Sequence, residues 1–336
     1  MNTENTSNAA EGRELAEFIQ HLRLGTPQQL GLMTVIPLLD GDGGGLEYLS
    51  LNQAMGAGKL RVREISEQGS VPELEAENLA DQPVLLLDGE QLSGAKQNRV
   101  LNTSLLLKEH SRVRIPVSCV EAGRWHPKSA AFYNEDIVMA QKARAKKLRS
   151  VTGNLEKHKK YASDQGEVWD EVHHFLCFKM RVHSPTSAMS EAYERYEHDL
   201  KHFEETFRCE PQQVGFVVLF KGQVAGCDAV SRPEVYATVH AKLIKSYAIE
   251  FLFERRGEPV AVEAASGLAK EFLERVAGSP TKRFPAMAGL GESLRIPDPS
   301  LPGAALVHAG RVIHLTALNP TADGLPEDGR WRHRSL

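Results

Sequence analysis

Between Leu32 and Val120 the chain alternates short apolar runs with turn residues. "LMTVIPLL" reads as a strand, and "KLRVREI" alternates at period two, as a strand with one solvated face does. "PVLLL", "RVLNTSLLL" and "RVRIPVSCV" continue the series, the last two joined by the turn-like Lys108-Glu109-His110-Ser111. So many strands so close together leave little room for crossover helices, which predicts antiparallel pairing. A helical middle follows over Asn134–Met180, with breaks expected near Gly153 and Asp164–Gly166. From Pro185 to Phe207, Met189, Tyr193, Tyr196, Leu200, Phe203 and Phe207 recur at steps of four and three, one apolar helical stripe with Ser184 as its cap. "VGFVVLFKGQVAGCDAV" predicts a hairpin turning at Lys221-Gly222. Helices are expected over Pro233–Arg255 and Val260–Val276, then two strands joined at Ala309-Gly310. A short helix, Arg13–Leu24, precedes the strands; residues 1–11 read as a disordered tail and Asp40–Gly45 as a flexible loop. The pattern is that of an α+β fold, a mainly antiparallel sheet with helices packed on one side. The expected organisation is a tail and short helix (1–28), a single domain (29–320) and a C-terminal tail (321–336).

Composition narrows the class. Forty basic against forty-four acidic residues leave a net charge of −4, no general pull toward nucleic acid or anionic membranes. Cys119, Cys177, Cys209 and Cys227 are scattered with no C-x-x-C pair, which fits a reducing compartment. There is no basic-then-apolar start, and no run of the ~18–20 apolar residues a bilayer span needs, so a cytoplasmic protein without membrane contact is expected. The run Gln141–Lys160 has eight Lys or Arg against one acid. It lacks interleaved aromatics for base stacking, so nucleic acid is not the expected partner. A solvated helix face or an electropositive lip beside a phosphorylated small molecule fits it better. No phosphate-loop, dinucleotide or zinc-protease signature is present. His173-His174 diverge by about 100° on a helix, so no metal is assigned.

The chemistry concentrates in "LLLDGEQLSGAKQNRVLNTSLLL", Leu85–Leu107, where two greasy tripeptides bracket Glu90, Lys96, Gln97, Asn98 and Arg99. "IPVSCVEAGRW" follows, and places Cys119 and Glu121 on one strand face before Arg124 and Trp125. If the strands are neighbours, Glu90, Arg99, Cys119, Glu121 and Arg124 converge on a concave edge. The alternative is a buried charge network that locks the sheet, with Cys119 a small hydrophobe. Both readings stand at this point.

These two motifs resemble the signature of the ARG and Rhodanese-Phosphatase-superfamily-associated protein domain, a prokaryotic family. "VGFVVLFKGQVAGCDAV", "LIKSYAIEFL" and "VIHLTAL" are similar to it as well, so the likeness covers nearly all of residues 30–318. The resemblance implies, by genomic association with ADP-ribosylglycohydrolases and rhodanese-like or phosphatase-like proteins, a role near ADP-ribose or NAD-derived nucleotides. It names no cofactor. On that reading the chain is an enzyme or enzyme-like pocket for a nucleotide-type ligand. Lys96, Arg99 and Arg124 clamp phosphates, Gln97 and Asn98 read ribose or base edges, and Trp125 stacks on a ring. Glu90 and Glu121 are the general acid and base candidates, and Cys119 the candidate nucleophile. The alternatives are a non-catalytic sensor or accessory protein using the same pocket, or a purely structural cluster.

Overall fold

The structure is a computed structural model that describes residues 12–40, 45–66 and 68–321. The two tails expected at 1–11 and 322–336, and positions 41–44 of the expected loop, lie outside the described residues. Among the described residues, nine strands form one antiparallel sheet. Its order is Arg23–Leu24, Met33–Leu39, Gln213–Phe220, Gln223–Val230, Arg311–Leu318, Gly303–His308, Glu292–Ile296 and Lys282–Pro285, with Gln28–Leu30 also paired to Met33–Leu39. The Gln213–Val230 hairpin turns where expected: Lys221 and Gly222 both have positive φ, +50° and +75°, as a tight hairpin loop requires.

Side chains alternate across these strands, and the two faces are buried against different helices. Val35, Phe216, Val218 and Phe220 meet Val239, Leu243, Tyr247 and Phe251 of the helix Pro233–Phe251. Ile36, Leu38, Val217, Leu219 and Cys227 meet Leu15 and Ile19 of Arg13–His21 and Ala265, Ala269 and Phe272 of Val262–Ala277. The α+β class with mainly antiparallel pairing is as the pattern predicts. The helices, expected on one side, cover both faces of the large sheet.

A second, six-stranded sheet runs Phe132–Tyr133, Gln91–Gly94, Arg99–Leu101, Ser111–Cys119, Glu73–Asn78, Leu60–Arg63. A three-stranded one joins Leu105–Leu107, Val84–Leu86 and Leu49–Ser50, the last pair parallel. "RVLNTSLLL" is therefore two strands in two sheets, with Asn102-Thr103-Ser104 carrying the chain between them.

Two helical expectations are corrected. Gly153 does not break a helix: Gln141–His158 runs through it, and the next helix starts at Gln165 because Asp164 accepts from the amides of Gly166 and Glu167. The continuous helix expected from Pro185 does not form. Thr186 O accepts from Gly123 N, Ala188 bridges to Glu121, and Met189 N donates to Val120 O, so the segment is held as a strap on the sheet end. Helix begins only at Ser190–Arg195 and continues after Tyr196 as Glu197–Thr206. The stripe is still inward: Met189, Tyr193, Leu200 and Phe207 are buried. Apolar periodicity reported the buried face, and tertiary pairing of the backbone decided where helix could start.

Candidate functional site

Strand register sets Cys119 opposite Arg99, and the residues after each separate into different neighbourhoods. Glu121 and Arg124 lock together. Nε and Nη2 of Arg124 donate to the two carboxylate oxygens of Glu121 at 2.8 and 2.6 Å. The guanidinium also donates to the carbonyls of Ala95 (2.5 Å), His126 (2.9 Å) and Gly94 (3.3 Å), and to Asn98 Oδ1 (3.3 Å). Glu121 further accepts from Asn98 N at 3.1 Å and Thr186 Oγ1 at 2.9 Å. Both ionic side chains are sealed, at 0% and 1% exposure. Burial pushes the Glu121 carboxyl up, but the hydrogen bonds from Arg124, Asn98 and Thr186 and the Arg124 charge outweigh it and hold the group below its ordinary value. Gly123 makes the strap possible, since a Cβ there would stand 2.8 Å from Thr186 Cα.

Arg99 heads a second group. Its Nη1 donates to Gln97 Oε1 at 2.7 Å and lies 2.6 Å from Cys119 Sγ. Glu64, not singled out in the sequence, brings a carboxylate oxygen to 4.0 Å from Nη2. Among the described residues, Nε and Nη2 of Arg99 and both Glu64 oxygens are buried without hydrogen-bond partners. The group reaches solvent through Trp125, which is 47% exposed, with Lys96 Nζ 5.4 Å and Arg99 Cζ 5.6 Å from the ring centre. Burial lifts the Cys119 thiol to about 11; the Arg99 charge and hydrogen bond pull it down and lose. Cys119 is a protonated thiol at neutral pH.

Glu90 stands apart from both groups. It accepts from Leu87 N at 2.6 Å and pairs at 2.5 Å with Lys242 of the helix Pro233–Phe251, which also reaches Asn52. Behind the lock, a surface cavity of about 500 Å³ is lined by Lys128, His183, Ala188, Ser190, Glu191, Glu194 and Arg195. It touches the signature through Ser190, whose hydroxyl accepts from Asn98 Nδ2 at 3.4 Å.

A third network, between the large sheet and the signature, escaped the sequence reading. Arg144 forks onto Asp228 at 2.9 and 2.7 Å, and Tyr247 donates to the same carboxylate at 2.8 Å. Lys147 donates to Asp88 at 3.0 Å and to Leu101 O at 2.9 Å. Ser104 Oγ accepts from Asp88 N and shares a 2.8 Å hydrogen bond with His314 Nδ1. Burial drops His314 to about 4, so the imidazole is neutral. All these side chains are buried, which corrects the reading of the basic run as solvated: Arg144 and Lys147, three apart on one helix face, point into the core. The signal was present in the polar residues Asp88, Thr103 and Ser104 beside the leucine tripeptides and in the acid of "AGCDAV". Gly89 completes the fit with φ +81°; a Cβ there would lie 2.7 Å from Arg144 Cδ.

Comparison with curated proteins and with solved structures finds no match to the chain. The domain family described as ARG and Rhodanese-Phosphatase-superfamily-associated Protein domain matches residues 21–318, a span that holds all three networks. On that match the chain belongs to the ARG and Rhodanese-Phosphatase-superfamily-associated Protein domain family.

Proposed function

We propose that the protein binds an anionic, ring-bearing small molecule of the nucleotide type at the Arg99–Lys96–Trp125 face, and that it senses or presents this ligand without turning it over. The observation that carries the reading is the buried Arg99 guanidinium, with Nε and Nη2 unused among the described residues, beside a half-exposed indole. A phosphate arriving at Arg99 would replace the loosely placed Glu64 carboxylate and fill donors that Glu64 leaves empty. Lys96 adds a second cation near the ring, and Trp125 offers a surface for a base. ADP-ribose and NAD-derived nucleotides are the class suggested by the genomic company of the family.

Absence of turnover is supported by the state of the three catalytic candidates. Glu121 and Glu90 are each committed to a buried ion pair, and the Cys119 thiol is protonated. A general base needs a free lone pair within reach of its proton, and a nucleophilic cysteine needs its thiolate.

The test is thermal denaturation with ADP-ribose, NAD, ADP and AMP, run beside chromatographic analysis of each nucleotide after incubation. At a hundredfold excess over Kd a ligand adds about 2.7 kcal/mol of stability. A rise in Tm for the wild type, lost in Trp125→Ala and Lys96→Ala, is expected. No rise with any nucleotide rejects the ligand class, an equal rise in both variants rejects the site, and any nucleotide consumed rejects the non-catalytic part.

A further inference from the structure

The large sheet carries a polar row where a core ordinarily buries apolar side chains. Register places Arg295, Ala304, Thr316 and Asp228 abreast on four neighbouring strands. Residues directly opposite one another share a face, and this one looks onto Arg144, Lys147 and the Asn102–Ser104 crossing. Asp228 is matched by Arg144 and Asp88 by Lys147.

Arg295 has no carboxylate of its own among the described residues; the Tyr161 ring lies 5.5 Å from its Cζ, and Asp88, already paired with Lys147, acts on it from farther off. Arg295 is fully buried, donates from Nη2 to Thr103 Oγ1 at 2.6 Å, and makes no ion pair among the described residues. Among the described residues its Nε and Nη1 have no hydrogen-bond partner, and neither has the Thr316 hydroxyl two strands along the row. With Lys147 charged, its ammonium pKa lowered by burial and supported by the Asp88 charge and hydrogen bond, the network sets three cations (Arg144, Lys147, Arg295) against two carboxylates (Asp88, Asp228), with His314 neutral, a surplus of 3 − 2 = +1. A guanidinium does not give up its proton in a protein, so the surplus cannot be removed by titrating Arg295. An isolated charge in a low-dielectric interior is held only with a counter-charge. Ala304 offers only a methyl between Arg295 and Thr316, so the bulk of the row is lowest beside the unused donors.

We propose that Arg295 and Thr316 hold one small monovalent inorganic anion of halide size, enclosed between the sheet and the Asn102–Ser104 crossing as a resident structural ion. One free N–H of the Arg295 guanidinium, at Nε or at Nη1 on opposite edges of the group, and the Thr316 hydroxyl supply the donors. The single charge follows from the surplus, and Asp88, near enough to act on Arg295, would repel a dianion. Because the surrounding side chains are sealed, the ion is captured as the chain folds and does not exchange freely afterwards.

The experiment uses the full chain refolded from denaturant in bromide and crystallised in bromide, with anomalous diffraction collected at the bromine edge. A peak in hydrogen-bonding contact with Arg295 is expected, and Arg295→Met, close in volume, loses it. No peak there in the wild type overturns the proposal, whatever the variant does. In solution, wild-type Tm rises with bromide concentration after refolding, and Arg295→Met shows a flat response; equal slopes in the two proteins overturn it independently.

Discussion

Substituting Arg124 tests whether the Glu121–Arg124 lock is sealed from water. Arg124→Ala removes both bonds to the carboxylate and leaves Glu121, at 0% exposure, with only Asn98 N and Thr186 Oγ1. Breaking one side of a buried pair costs about 3–5 kcal/mol, because the remaining charge is stranded. At about 1.5 °C per kcal/mol for a domain of this size, Tm falls by roughly 5–8 °C at pH 7. The pH dependence supplies a sharper signature. In the wild type the folded Glu121 pKa lies below its unfolded value of about 4.3. Its contribution is therefore complete above that pH and is lost as pH falls through the folded value. In Arg124→Ala burial dominates and the folded pKa rises above the unfolded one. The penalty then appears as pH climbs past about 4.3 and is largest near neutrality. The gap between wild type and variant, measured by urea unfolding from pH 3 to 7, widens with pH, and adding Glu121→Gln narrows it at pH 7. A cost below about 1 kcal/mol that stays flat across this range is what a solvent-screened pair gives, and would refute the sealed lock.

Two further outcomes are expected. Iodoacetamide at pH 8 should modify the exposed Cys177 and Cys209 of the native protein and leave Cys119 untouched, since its buried thiol is held at about 11; peptide mass spectrometry showing Cys119 alkylated as fast as Cys177 would contradict the assignment. Gly89→Ala should cost at least about 1–3 kcal/mol in urea unfolding from its positive φ alone, with more from the clash onto Arg144, whereas Gly153→Ala, in open space on a helix, should be neutral or stabilising.

The chain's apolar pattern was enough to read the strands Met33–Leu39, Leu60–Arg63, Val84–Leu86 and Ser111–Cys119, the Lys221-Gly222 hairpin, the two late helices and the final strand pair, because each depends on local periodicity and turn chemistry. It missed the polar strands Gln28–Leu30, Glu73–Asn78 and Gln91–Gly94, whose pairing is set by their neighbours. The same pattern singled out Leu85–Leu107 as the place where polar groups are wedged between buried strands, and left open whether they line a pocket or lock the sheet. It did not say which group meets which. Glu90 and Arg99 are nine positions apart, yet one faces Lys242 and the other Cys119 and Glu64, because the partners come from a helix and a loop that only folding brings near. Arg144 and Lys147 looked like solvent-facing charge, since local sequence carries no information about the carboxylates of Asp88 and Asp228 waiting across the core. The helix expected at Pro185 gave way to a strap for the same reason: pairing with Val120, Glu121 and Gly123 satisfies backbone groups that helical propensity would have satisfied locally. Which residues are buried and which elements they build is written in the spacing of apolar side chains; how buried charges are matched is long-range electrostatics, settled only when distant segments meet.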